Sequence, residues 1–202
     1  MKRLYEDYGQ RVQFVDVLVR QAHPGEQRGP YRRYAQKLED ARAYQRTDGI
    51  PWPVLVDDLA GTVHTAYGGM ADPIYLIDAT GSVAFYNMWA HVPSLKVAID
   101  ELLASGGHGG PVAGGIDRVP HLIVSFVNGW DGLRRGGWRA VVDYELGVPG
   151  AATLTLLGHL AKPLVAPLTL RAAPLPVPVR LALGGGVVAA GFLVARTLRR
   201  RG

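Results

Sequence analysis

The feature that most constrains the fold is the order of apolar patterns along residues 11–103. Short apolar runs rich in Val and Ile predict buried strands, and apolar residues three and four apart predict helices. Here the two patterns follow one another as strand, long loop, helix, strand, helix, strand, turn, strand and helix. This alternation predicts an α/β fold for the first half of the chain.

The predicted elements can be placed by their boundary residues. Residues 2–8 are compatible with a helix that ends at Gly9, and the Pro- and Gly-rich residues 21–31 predict a loop. Strands are predicted at residues 12–19, 53–58, 74–77 and 83–86, with a hairpin turn at 78–81. Helices are predicted at residues 34–48, 61–67 and 93–104.

A run of glycines divides the chain. Residues 105–115 read SGGHGGPVAGG, a composition typical of a flexible linker. We therefore predict a domain at residues 1–104, a linker at 105–115, and a mostly helical region at 116–202 in which apolar stretches alternate with basic residues.

A family resemblance rests on the segment FVDVLVRQAHPG, in which a strand leads into Ala22, His23 and Pro24. The chain resembles the iodothyronine deiodinases and their bacterial thioredoxin-like relatives. The likeness continues through KLEDARAY, PVLVDD, AYGG, DPIYLID and VAFYNMWA, and covers about residues 1–104. It implies a thioredoxin-like fold that lacks its first strand and active-site loop.

The resemblance also implies that the nucleophile is absent. The 202 residues include no cysteine, whereas this family carries selenocysteine or cysteine at the start of its first helix, where the helix dipole stabilises the anion. Residues 2–8 match the end of that helix, so the nucleophile would lie upstream of Met1. Three explanations for its absence remain open. A UGA selenocysteine codon was read as a stop, the start of the chain was assigned too far downstream, or the gene is a degenerate copy. An active form would need a thiol reductant or a thioredoxin-like reducing partner, and no cofactor.

Four residues are candidates for the site. His23 matches a family histidine that contacts substrate and donates a proton, although a loop histidine bonded to backbone or solvent has the same pattern. Tyr31 falls where the family has a second histidine and is a weaker proton donor, which argues against thyroid-hormone deiodination. Asp72 and Pro73 lie where thioredoxin folds place a cis-proline beside the nucleophile; the alternative is a trans proline that begins a strand.

Other motifs have structural interpretations. The paired acids Asp57 and Asp58 follow a strand, and we expect them to cap the next helix. Trp52 and Trp89 are expected in the core or at the rim of a cleft. The six histidines lack the spacing of a metal site, so no metal is expected.

Charge is distributed unevenly. Residues 1–111 have a net charge of −2 and residues 112–202 of +7, with no acidic residue after Glu145. The arginines in this region alternate with Leu, Val, Ala and Pro instead of base-stacking aromatic residues, which favours an anionic membrane over nucleic acid as partner. We therefore predict membrane association through residues 116–202, at the cytoplasmic face of a bacterial inner membrane.

The final apolar segment, residues 181–195, contains 15 residues without charge. As a helix it would extend about 22 Å against about 30 Å of hydrocarbon, so it predicts either partial insertion or a short transmembrane helix. The arginines that follow would keep the C-terminus cytoplasmic, and a full span then requires an exported redox domain. A packed helical subdomain with a basic end is the third possibility.

Together these patterns predict a thioredoxin-fold oxidoreductase of the deiodinase-like type, inactive without its nucleophile. The alternatives are a redox-dead thioredoxin-like binding module tethered to the membrane and a fragment of a peroxiredoxin-like peroxidase. A peroxide, a disulfide partner or a halogenated organic compound would each suit such a fold as substrate. The coding DNA before Met1 distinguishes an enzyme from a binding module.

Overall fold

The computed structural model describes residues 1–109, 121–171, 176–179, 181–182 and 185–186. The chain divides into two compact units, Met1–Ala172 and Ala173–Gly202. The first unit is mixed α/β and contains all the elements named below. In the second unit, residues 177–179 are helical. Most of the apolar segment 181–195 lies outside the described residues.

The first half of the chain follows the predicted order of elements. The helices are α1 (Lys2–Tyr8), α2 (Tyr34–Thr47), α3 (Thr62–Ala66) and α4 (Val92–Ala104), and the strands are β1 (Asp16–Leu18), β2 (Val54–Val56), β3 (Ile74–Ile77) and β4 (Val83–Asn87). Strand β1 is shorter than predicted, because only its last residues find a partner strand. The apolar pattern alone could not show where pairing begins.

The described strands form two small sheets. Strands β1 and β2 pair in parallel, with Val17 opposite Leu55, and β3 and β4 form an antiparallel hairpin. An isolated bridge joins Asp72, just before β3, to Trp89, just after β4. The α/β class is therefore confirmed, and the thioredoxin-like arrangement remains a prediction.

The core of the α/β half is aromatic and aliphatic. The rings of Tyr5, Phe14 and Trp52 lie with their centroids 5.4 to 5.7 Å apart, and Phe14 and Trp52 are buried. Helix α4 buries the apolar stripe predicted for it, including Leu95 and Ile99. Each large apolar side chain that is buried in this way stabilises the fold by about 2 kcal/mol.

The described residues from 121 onward in the same unit form five helices: α5 (His121–Asn128), α6 (Trp130–Arg135), α7 (Trp138–Gly147), α8 (Ala151–Leu160) and α9 (Lys162–Thr169). Helix α8 packs closely on α5, since a Cβ atom at Gly158 would lie 2.6 Å from the carbonyl oxygen of Phe126. Val124 and Val127 of α5 are fully buried in this contact region.

Side chains connect the helices to the α/β half. The buried His91, before α4, contacts Ser94 Oγ at 2.8 Å through Nδ1 and the carbonyl oxygen of Thr169 at 3.1 Å through Nε2. Arg135 forms an ion pair with Asp48 at 3.1 Å. In the part of the chain that the structure describes, no single helix has the length and apolar character to cross a membrane; α8 and α9 meet those criteria only together, with a 94° bend between them.

Candidate functional site

The candidate site is built on the loop that follows β1. Residues 19–33 contain neither helix nor strand, in agreement with the Pro- and Gly-rich sequence there. Within this loop the side-chain amide of Gln21 donates to the carbonyl oxygen of His23 at 3.1 Å. This contact helps to hold the backbone of His23 just beyond the end of the parallel strand pair.

The loop lies directly against the turn between α6 and α7. A Cβ atom at Gly25 would lie 2.1 Å from the carbonyl oxygen of Gly136, so only glycine permits this approach. Gln27 donates its backbone N–H to the same oxygen at 3.3 Å. The two segments are therefore packed main chain against main chain.

Glu26 attaches the loop to the start of α7. Its carboxylate accepts hydrogen bonds from the backbone N–H groups of Trp138 at 2.5 Å and Arg139 at 2.8 Å, which have no partner within the helix. Gly137 has φ +93°, and a side chain there would collide with this carboxylate. The backbone hydrogen bonds from Glu26 itself and from Arg139, followed by that from Trp138, lower the pKa of Glu26 despite some desolvation.

These contacts bring α7 to His23. Its Nδ1 lies 3.1 Å from Oδ2 of Asp143, and its ring lies 4.6 Å from the ring of Tyr144, centroid to centroid. A carboxylate accepts hydrogen bonds only, so the contact assigns the proton of the neutral imidazole to Nδ1. In the described part of the chain, Nε2 of His23 has no hydrogen-bond partner within the protein.

His23 lines a cavity of about 350 Å³ between the α/β half and the helices. This volume suits a small organic molecule. Its lining combines aromatic and apolar side chains with polar ones and one cation. The aromatic and apolar residues include Trp89, Leu133, Ala140 and Tyr144, and the polar or charged residues are Arg20, Gln21, His23, Ser125 and Thr155. The lining therefore offers aromatic surface together with an imidazole that can donate or accept a proton.

Tyr31 lies elsewhere and is not among the residues that line this cavity. Its neighbours are Lys37, whose Nζ lies 5.9 Å from the ring centroid, and the ion pair between Arg28 and Asp40. Burial, and then the charge of Asp40 and a hydrogen bond with it, raise the pKa of Tyr31 to about 12. The tyrosine therefore belongs to the packing of α2 against the loop.

Asp72 and Pro73 lie beside the cavity, which is lined by their neighbour Ala71 and by Trp89. The peptide bond between Asp72 and Pro73 is trans, so the expected cis-proline is wrong and the alternative interpretation holds. Asp72 is exposed as a residue, but protein packed around its carboxylate, and then the charge of Asp16, raise its pKa to about 6.

The other sequence expectations can be placed. Asp57 accepts hydrogen bonds from the backbone N–H groups of Val63 and His64 at 2.9 and 3.0 Å, so it caps α3 as predicted. Burial opposes ionisation of Asp57, but these bonds outweigh it and lower its pKa. Trp52 is in the core and Trp89 at the cavity. Among the described residues, no three His, Asp or Glu side chains are grouped to hold a metal ion.

Sequence reasoning missed Glu26, Asp143 and Tyr144. The latter two are about 120 residues from His23, and no local spacing connects them. The pair Gly136 and Gly137 was a usable signal, because adjacent glycines between two helices permit close approach of another main chain.

Comparison with known proteins found no matching family model, no matching curated protein and no matching solved structure.

Proposed function

We propose that the cavity beside His23 binds a small halogenated aromatic molecule, and that the chain is the substrate-binding part of a deiodinase-like oxidoreductase. One observation carries the proposal: His23 is oriented by Asp143 and keeps its other nitrogen for a ligand within a cavity lined by Trp89 and Tyr144. The resemblance of residues 1–104 to the deiodinase family supports the same assignment.

The paired His23 and Asp143 suit proton transfer. Nδ1 donates to the carboxylate, so Nε2 accepts a proton from a ligand when the ring is neutral and donates one when the ring is charged. A phenol or a carbanion-like ring carbon next to Nε2 could therefore exchange a proton with His23.

We infer an aromatic ligand from the side chains that line the cavity. The ring of Tyr144 lies tilted against that of His23, with centroids 4.6 Å apart, and Trp89 offers a second large aromatic surface. Aromatic pairs add about 0.5 to 1.5 kcal/mol beyond the area that they bury. Arg20 at the same cavity provides a positive charge for a carboxylate or phenolate substituent.

Electrons for a reductive step must come from elsewhere, because these 202 residues contain no thiol. Replacement of an aromatic halogen by hydrogen uses two electrons and one proton and releases halide. Two thiol equivalents, or a selenol and a thiol, supply those electrons and become oxidised to a disulfide or a mixed selenenyl sulfide. In this scheme the chain binds the ring and His23 delivers the proton.

Calorimetric titration of the full chain with 3,5-diiodotyrosine tests the proposal, with tyrosine as the halogen-free comparison. We expect the iodinated ring to bind more tightly, and His23→Ala and Tyr144→Ala each to weaken binding at least about fivefold, since each removes one wall or donor. His108→Ala, at an exposed loop histidine outside the cavity, should bind like the parent chain. Absence of binding to the parent, or equal loss in all three variants, would overturn the proposal.

The enzyme and the redox-dead binding module both predict this binding. The two hypotheses predict different DNA sequences before the codon for Met1. An in-frame segment that encodes a strand, then cysteine or UGA, then a helix supports the enzyme; a ribosome-binding site without such a segment supports the binding module.

A further inference from the structure

We propose that α8 and α9 bind an anionic lipid bilayer by inserting one row of leucines into the interfacial region. The leucine face, as we call it, consists of Leu154, Leu157, Leu160, Leu164 and Leu168, all of which are exposed. The proposal does not depend on the function assigned to the His23 cavity.

The leucine face lies away from the rest of the unit. Helices α8 and α9 both pack against α5, and the side chains buried in α8 are the small Ala151, Ala152 and Thr155. Several large side chains are exposed instead: Leu160 is 67% exposed and Leu164 is 82% exposed, whereas Leu156 is half-buried. This is the reverse of the usual amphipathic helix, which buries its large apolar residues.

The exposed surface of these helices is almost free of polar groups. Besides the leucines, the exposed residues between 151 and 169 are Thr153, Pro163 and Pro167. Several large apolar side chains exposed on neighbouring helices of a folded unit are typical of a contact with a membrane or another protein. The 94° bend between α8 and α9 excludes a straight span but suits two short helices that lie in the interface.

Charge favours an anionic bilayer over a second copy of the chain. Lys162 begins α9, between the two groups of leucines, and Arg171 follows its end. No acidic residue occurs after Glu145. The carboxylates that contact α8 already have partners in the chain, Glu145 at the backbone N–H groups of Gly150 and Thr153 and Asp131 at His159. Two copies that met through this face would therefore bring Lys162 and Arg171 toward the same cations of the other copy. Anionic headgroups would instead attract these cations while the lysine stem extends along the apolar surface.

The absence of cysteine makes a direct test possible. Leu164→Cys in the full chain gives a single thiol for an environment-sensitive NBD dye, and Val83→Cys gives a control at an exposed position of β4. With vesicles of phosphatidylglycerol and phosphatidylcholine, we expect the dye at 164 to shift to the blue and to be quenched by bromine-labelled lipid chains. The dye at 83 should show neither change.

A pair of charge insertions measures how much the face contributes. Leu160→Glu should weaken binding to these vesicles about tenfold, because a carboxylate cannot enter the apolar interface. Leu59→Glu, at an exposed leucine of the α/β half, should leave binding within about twofold of the parent. Equal loss in both variants would overturn the proposal, since binding would then follow net charge alone.

Three further results would also overturn it. A dye at 164 that is shifted to the blue in the lipid-free monomer would show that the chain itself covers the face. A shift that grows with protein concentration and accompanies dimer formation would assign the face to a second copy. Vesicle binding that leaves the dye at 164 unchanged would place the membrane contact elsewhere in the chain.

Discussion

The main chain at Gly25 approaches that at Gly136 so closely that a Cβ atom on residue 25 would lie 2.1 Å from the Gly136 carbonyl oxygen. This contact, with the Glu26 carboxylate at the start of α7, determines where α7 lies relative to the β1 loop. Asp143 and Tyr144 reach His23 only because of that placement.

Gly25→Ala should therefore disturb both stability and the cavity. The added methyl group must displace one main chain, because the atom it meets is a backbone oxygen and cannot rotate away. We expect a loss of about 1 to 3 kcal/mol in the free energy of unfolding and weaker binding of the iodinated probe. Gly29→Ala is the matched control in the same loop, where a methyl group meets nothing within 4 Å. Equal denaturation midpoints for the two variants would contradict the contact.

Removal of the buried His91 should weaken the contact between α4 and α9 and so lower the stability of the fold. His91→Ala leaves the carbonyl oxygen of Thr169 and the hydroxyl of Ser94 without this partner, and it leaves a cavity where the ring was. We expect a loss of about 3 kcal/mol, which corresponds to a decrease of roughly 6 to 12 °C in Tm for a unit of this size. His108→Ala should change Tm by less than about 1 °C. A similar Tm for both variants would mean that His91 is not a structural link.

Asp72 should make stability depend on pH. Its pKa is about 6 in the folded chain and about 3.9 in an unfolded one, so the folded state binds more protons between these values. The free energy of unfolding should therefore fall as pH rises from about 4 to about 6. Asp72→Asn removes this loss, so its Tm should match the parent near pH 4 and exceed it near pH 7.5. Asp7→Asn, at an exposed carboxylate of α1, should show no such crossover.

The 202-residue chain should not catalyse thiol-dependent reduction. It has no thiol to attack a halogen, a peroxide or a disulfide. Incubation with 3,5-diiodotyrosine and dithiothreitol should release iodide no faster than a heat-denatured control. Turnover above that control would show that another group in the chain acts as nucleophile.

Local sequence patterns predicted most of the elements of the α/β half. The apolar stripe of α4 and the turn between β3 and β4 are determined by residues close together in sequence, so they could be recognised without tertiary information. The isomer of the Asp72–Pro73 bond could not, because local sequence permits both isomers and tertiary packing selects one. The contacts of His23 with Asp143 and Tyr144 could not be predicted from the sequence either, since they depend on the packing of α7 against a distant loop.

The two walls of the His23 cavity belong to segments on opposite sides of residues 110–120, and the contacts that join them are non-covalent. The proposed ligand site is thus assembled from two segments of the chain, and its assembly needs their proximity more than chain continuity. Co-expressed fragments 1–109 and 121–202 should copurify and bind the iodinated probe together, while neither does so alone. If the chain is cleaved between residues 109 and 121, binding of the iodinated probe should therefore depend on the two fragments remaining associated.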